Sequence, residues 1–184
     1  MTTYTETIVG CDLSEDRLQL MIPYWDQAGE KSLSKENFEL YKNDQFFLVR
    51  SSEDNSLLSM GRLRPITVNF MDTPFNLYGI SDIKSIIQGQ GFGKVLVQSM
   101  IEFLIKEEKT AIGFCIHKNA PFYEKCGIGI IENAVGRFLY EKGNELIANP
   151  ADDTDVIYFE GKDRFITKFE ANRKRKVYFN FPHW

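Results

Sequence analysis

The chain has 184 residues, a net charge of −4 and 43% apolar content with 15 Phe and 8 Tyr, which fits one domain over residues 1–184 and excludes disorder over most of it. No apolar run approaches the ~20 residues of a membrane helix, and the first ten residues lack the basic start and apolar stretch of a secretory signal. The acidic balance argues against general nucleic-acid binding, so a soluble, cytoplasmic protein with no membrane partner is expected.

In chain order, Tyr4 to Val9 reads as a first strand. Ser14 caps a helix toward Trp25, and Ser34 another toward Lys42. Phe46 to Arg50, Leu57 to Arg64 and Phe75 to Ile87 read as three successive strands. Gln90 to Glu108 is the long helix, with Leu96, Val97, Met100, Ile101, Phe103 and Leu104 on its buried side. Ala111 to Ile116 predicts a buried strand and Asn119 to Cys126 a short helix. Asn119 can cap that helix, Pro121 suits its first turn and Gly127 suits its C-terminal end. Arg137 to Glu141 and Val156 to Phe159 are further strands, separated by a polar turn region around Asn149-Pro150. The aromatic tail from Val177 to Trp184 is expected to pack onto the domain. The order β-α-α-β-β-β-α-β-α-β-β defines an α/β (α+β) chain with no repeat or domain boundary.

Gln88-Gly89-Gln90-Gly91-Phe92-Gly93-Lys94 joins the third of those successive strands to the long helix. N–H groups at a helix start have no intrahelical acceptor, and glycines let the backbone approach a ligand closely. Together with the helix dipole, the loop favours a phosphate or pyrophosphate. The bland alternative is a tight strand-to-helix connection that needs glycine for its shape. A Walker loop fails, because Val95 follows Gly93-Lys94 and Gln88 stands five residues before Gly93. The dinucleotide fingerprint matches Gly89 and Gly91 but meets Lys94 at its third glycine, and the repeated βαβ context is missing.

The spacing Gln-x-x-Gly-x-Gly, as Gln88, Gly91 and Gly93, resembles the acetyl-CoA pyrophosphate loop of the GNAT superfamily of N-acetyltransferases. In that family the preceding strand ends in Val-x-Pro-x-x-[Arg/Gln]; here Ile83-Lys84-Ser85-Ile86-Ile87-Gln88 carries Ser85 in place of the proline. Asn119-Ala120-Pro121-Phe122-Tyr123-Glu124-Lys125-Cys126-Gly127 is similar, in compressed form, to the family segment Asn-x-x-[small]-x-x-Phe-Tyr-x-Lys-x-Gly-[Phe], with Ile128 where an aromatic is usual. Taken alone, Phe122 and Tyr123 read as packing residues of a short helix. The resemblance covers Tyr78 to Ile131. It implies a GNAT-like mixed central sheet of about 6–7 strands flanked by helices, with strands four and five splayed.

The same resemblance implies a site. Acetyl-CoA, as co-substrate, would enter between the splayed strands with its carbonyl polarised by a backbone N–H near Ile83. The backbone of Ile83, Lys84 and Ser85 would contact it, and Gln88, Gly89, Gln90, Gly91, Phe92, Gly93 and Lys94 would bind the pyrophosphate through main-chain N–H groups. Asn119 and Phe122 would line the pantetheine arm. Tyr123 is the expected general acid toward the departing thiolate, since thiol and phenol pKa values of ~8.5 and ~10 lie close together. Its alternative role is a buried phenol satisfying a hydrogen bond. Many family members place a Glu four residues before the Val position, where this chain has Gly79. The remaining base candidates are Asp82, which strand alternation turns to the face opposite Ile83, a backbone-held water, and the Trp184 carboxylate, a C-terminal device of some aminoglycoside acetyltransferases. Acceptor specificity falls to Tyr24 to Leu33 and the tail, with Trp25 either lining this pocket or belonging to the core.

Cys11, Cys115 and Cys126 form an odd set without CxxC spacing, which argues against a disulfide framework, and Cys115 reads as a core residue. With His117 and His183 as the only histidines, no metal site is expected. Arg173-Lys174-Arg175-Lys176 is either a solvated helix end or a contributor to binding an anion such as a CoA phosphate. The leading expectation is an acetyl-CoA-dependent N-acetyltransferase that moves an acetyl group directly to a primary amine of a small molecule, a homodimer being a family expectation. The alternatives are a protein or peptide N-acetyltransferase and a non-catalytic CoA-binding sensor, which Gly79 supports and Tyr123 opposes.

Overall fold

The computed structural model describes residues 2–25, 33–34, 37–142, 145–148 and 152–179. Its elements are β1 (Thr3–Val9), α1 (Glu15–Met21), α2 (Phe38–Tyr41), β2 (Gln45–Ser51), β3 (Leu57–Phe70), β4 (Thr73–Ser85), α3 (Phe92–Glu107), β5 (Ala111–Cys115), α4 (Ala120–Cys126), β6 (Gly129–Ile131), β7 (Phe138–Lys142), β8 (Glu145–Ala148), β9 (Asp155–Phe159), α5 (Phe165–Ala171) and β10 (Val177–Phe179). Among the described residues, ten strands join one mixed sheet, more than the about 6–7 expected. Much of the excess is β6, β8 and β10, of three, four and three residues, too short to leave a periodic signal. The chain forms two compact units, Met1–Arg64 with Ile80–Met100, and Pro65–Gly79 with Ile101–Trp184.

In the first unit, β1 pairs antiparallel with β2 from Thr3–Ser51 to Val9–Gln45, and β2 pairs antiparallel with β3. Phe46, Phe47, Leu48 and Val49 are all buried, so β2 is covered on both faces. Leu18 and Met21 of α1 pack with Phe46, Leu48, Leu57 and Met60, and Trp25 lies against this cluster. The helix from Ser14 stops at Met21 rather than reaching Trp25, because Pro23 turns Ile22–Tyr24 into a 3-10 turn. Ser14 is the N-cap residue, but its side chain makes no capping hydrogen bond. The helix expected from Ser34 is the single turn α2, and residues 35–36 lie outside the described residues. Leu96, Val97 and Met100 form the buried face of α3 in this unit. Gly61 of β3 makes room for them: a Cβ there would lie 2.8 Å from Met100 Cε and 2.9 Å from Ile83 Cδ1.

The second unit contains the β3–β4 hairpin tip. Met71 and Asp72 both take positive φ, 52° and 60°, the two-residue turn whose twist matches the flanking strands. Pro65 sits in a part of β3 that neither β2, whose ladder ends at Leu63, nor β10, whose ladder starts at Val68, pairs with. The parallel β4–β5 ladder consists of Tyr78–Ala111 and Gly79–Ile112, and pairing ends there although both strands continue. β5 pairs β9, β9 pairs β6, and β10 lies between β3 and β7, parallel to β7. The core is rich in phenylalanine: Phe75 and Phe165 ring centroids lie 5.2 Å apart, Phe138 and Phe169 5.0 Å.

Helix α5 buries Phe165, Ile166 and Phe169. Arg137 closes its C-terminal end, its guanidinium lying 3.4 Å from the Phe169 ring centroid and donating to the carbonyls of Phe169, Asn172 and Arg175. The basic run Arg173 to Lys176 is the exposed link from α5 to β10, in keeping with the solvated reading. Val177 and Phe179 are buried, so the tail packs as expected up to residue 179, while Trp184 lies outside the described residues. Cys11 is exposed and Cys115 and Cys126 are buried, all as free thiols. Among the described residues no helix is long and apolar enough to cross a membrane, and no group of His, Cys, Asp and Glu is placed to hold a metal.

Candidate active site

The Gly-rich loop belongs to the first unit and is anchored on its strand side. Ile86 N–H donates to Leu58 O at 2.9 Å, Ser59 Oγ to Lys84 O at 2.9 Å, and Ser85 Oγ to Ile87 O at 2.9 Å. Gly89 and Gly91 then take φ values of +77° and +84°, a region glycine occupies without steric cost. A Cβ on either would meet nothing within 4 Å, so these positions need glycine for backbone shape, not for room. Lys94 and Val95 N–H groups donate to Gly91 O and start α3, while the buried Phe92 ring pins that start. The N–H groups of Gly89, Gly91, Phe92 and Gly93 have no backbone acceptor among the described residues. Gln88 to Gly91 and Lys94 are exposed, which leaves unpaired amides and a lysine at the N-terminus of a 16-residue helix.

Immediately upstream, β4 departs from regular strand geometry. Asp82 has φ +54°, so the alternation that would set it opposite Ile83 is broken at that residue. Its carboxylate accepts from Arg62 Nε at 2.5 Å and from Ser81 Oγ. Arg62 also pairs with Asp44, whose other oxygen lies 3.3 Å from Arg64 Nε. Burial raises the Asp44 pKa, with Arg62 and Arg64 pulling the other way. The Trp25 ring centroid lies 5.0 Å from Arg62 Cζ, so Trp25 both packs on the core cluster and covers this cation. Sequence reasoning missed Arg62 and Asp44; partners 18 residues apart, one in the connection before β2 and one in β3, leave no spacing signal.

Asn119, Phe122 and Tyr123 belong to the second unit. Asn119 ends the 3-10 turn His117–Asn119 in a right-handed conformation and makes no side-chain cap, which corrects the expected capping role. Pro121 occupies the first turn of α4 as expected. Gly127, at φ +92°, ends the helix, with Gly127 N–H donating to Glu124 O and Ile128 N–H to Tyr123 O. Phe122 is 37% exposed, its ring centroid 5.1 Å from that of Tyr123. Burial raises the Tyr123 pKa, with smaller contributions from Cys115, Cys126 and Asp153. No hydrogen bond of the Tyr123 hydroxyl is formed among the described residues, and the residue is partly buried. Gly79 is buried at the end of the β4–β5 ladder.

Neither a protein-family model nor a curated protein matches the sequence. Solved structures do match the fold. The chain is similar to Arabidopsis thaliana NAA60 in complex with a bisubstrate analogue, at a TM-score of 0.56 and 12% identity over 86% of this chain and 97% of that one. An acyl-CoA N-acyltransferase from Pseudomonas aeruginosa gives 0.52 and 15% over 84% and 97%. A conserved Enterococcus faecalis V583 protein described as a probable N-acyltransferase gives 0.55 and 19% over 73% of this chain, which spans 33% of that one. The chain therefore has the fold of the GNAT superfamily of N-acetyltransferases.

Proposed function

We propose that the chain is an acetyl-CoA-dependent N-acetyltransferase that moves an acetyl group directly to a primary amine of a small molecule. The observation that carries this reading is the row of unpaired amides at Gly89, Gly91, Phe92 and Gly93, two of the glycines at positive φ, at the start of α3 and a short loop after the left-handed residue in β4. In this reading the amides bind the pyrophosphate, and Asn119 and Phe122 line the pantetheine arm. The unprotonated amine nitrogen attacks the thioester carbonyl carbon while the Ile83 N–H stabilises the developing oxyanion. The C–S bond then breaks, and the departing thiolate takes the Tyr123 phenolic proton. Asp82 spends its carboxylate on Arg62 and Ser81, so the proton of the amine passes to a backbone-held water.

A second reading, a CoA-binding sensor, is favoured by Gly79 and by the engagement of Asp82. Calorimetry with acetyl-CoA, CoA and ATP, followed by free-thiol release over a library of amines, separates the two. Micromolar acetyl-CoA binding with thiol release on a small amine supports the transferase, and binding with no turnover on any amine supports the sensor. Binding of neither acetyl-CoA nor CoA overturns both.

A further inference from the structure

Arg62 lies in the middle of β3 with its side chain 3% exposed, and its guanidinium is held by two carboxylates and covered by an indole ring. Nε faces Asp82, Nη1 faces Asp44, and the Trp25 ring covers Cζ. Asp44 is itself backed by Arg64, so two arginines and two carboxylates balance in charge. A buried ion pair is a weak device for stability, because desolvation offsets the attraction; its better-attested use is to fix one register among several. The register at stake is visible. Asp82 is a non-glycine residue at φ +54° inside a strand, a conformation that persists only where the surroundings over-determine it. Downstream the chain is pinned separately, by Ser59 on Lys84 O and by the Ile83 side chain above Gly61.

We propose that Arg62 is a positioning residue for acyl transfer, holding the Asp82 carboxylate and thereby fixing the left-handed backbone that aims the Ile83 N–H at the thioester carbonyl. This rests on the acetyltransferase reading above. Arg62 touches neither the acyl group nor the amine in this scheme; it acts through the backbone at residue 82. Its planar fork matters as much as its charge, since one nitrogen faces Asp82 while another faces Asp44.

The test compares Arg62→Met and Arg62→Lys with the double variant Arg62→Met/Asp82→Gly. Both single variants are expected to bind acetyl-CoA within about twofold of the native protein while kcat falls by about 10- to 100-fold. Glycine adopts positive φ without a latch, so the double variant is expected to recover kcat to within about threefold of native. Native kcat in Arg62→Met, or a double variant as slow as the single, overturns the proposal. Should Arg62→Met not fold, Arg62→Lys and the double variant still decide it. If the native chain binds acetyl-CoA but turns over no amine, the transferase reading fails by itself. The crystal structure of Arg62→Lys then decides the latch: residue 82 is expected to leave positive φ, and an unchanged φ overturns it.

Discussion

His117 Nδ1 lies 2.7 Å from Asp155 Oδ2, joining an imidazole whose side chain is 71% exposed to a carboxylate with no exposed area. Asp155 also accepts the Asn133 N–H at 3.0 Å. The hydrogen bond to Asp155 raises the His117 pKa, with its charge, Glu132 and Glu124 adding to the effect and slight desolvation opposing it. Burial pushes the Asp155 pKa up, but the Asn133 N–H, His117 and Thr154 together hold it below the usual carboxylate range.

That pair makes stability depend on pH with a definite sign. His117 binds its proton more tightly when folded, so its contribution is full below ~6.5 and is lost as pH rises through the raised value. The Asp155 contribution is present above ~3.9 and is lost as pH falls through its lowered value. Urea midpoints of native protein and His117→Gln are therefore expected to differ more at about pH 5.5 than at about pH 8.5. Equal gaps at both pH values would remove the electrostatic role.

Tyr123→Phe is expected to leave stability within about 1 kcal/mol of native, because the hydroxyl makes no hydrogen bond among the described residues. If the phenol reprotonates the thiolate, kcat falls by about 100-fold while acetyl-CoA affinity holds. Full kcat in a folded, acetyl-CoA-binding variant would pass proton donation to water.

Gly91→Ala tests backbone shape without adding a clash, since the space around a Cβ there is open. Forcing a left-handed φ on alanine costs about 1 kcal/mol and turns the loop amides away, so acetyl-CoA binding is expected to weaken by about tenfold. Gly91→Asn, which tolerates that conformation better, should weaken it less. Calorimetry reads both, and unchanged affinity in Gly91→Ala would return the loop to a structural turn.

Two other glycines differ in what they touch. A Cβ at Gly161 would lie 2.3 Å from the Lys109 carbonyl carbon, which is backbone, whereas one at Gly61 meets the flexible end of Met100 at 2.8 Å. Overpacking costs about 1–3 kcal/mol, with Gly61→Ala expected near the lower figure and Gly161→Ala near or above the upper. Urea denaturation of both orders them, and a milder Gly161→Ala would mean that the backbone at Lys109 can shift.

What was legible in the sequence follows from where the signal is stored. The long apolar stripe of α3, the buried run of β2 and the glycine loop speak through local pattern, and each lies within two residues of its expected place. β3 runs on to Phe70 where a stop at Arg64 was expected, because Pro65 reads as a breaker, while in the fold it falls between the β2 ladder, which ends at Leu63, and the β10 ladder, which starts at Val68. The Met71-Asp72 turn has neither Gly nor Asn to announce its positive φ. Helix α5 is seven residues long, starts after a left-handed Arg164 and has no side-chain cap from that residue, so its start is invisible in composition. Within the site, loop and α4 motifs are contiguous and readable. The Arg62–Asp44–Asp82 cluster and the His117–Asp155 pair are assembled across strands, and one left-handed residue at Asp82 is enough to defeat an alternation argument.

The unequal exposure of the cysteines gives the protein an internal gauge. Cys11 alone is exposed, and burial pushes the Cys115 thiol up to about 11, so a chromogenic thiol reagent titrates one equivalent per folded chain and three per unfolded chain. A release assay that reads coenzyme A through its sulfhydryl thus starts from a constant offset that Cys11→Ser abolishes. Any slow growth toward the second and third equivalents reports chains opening, so one absorbance trace separates turnover from denaturation.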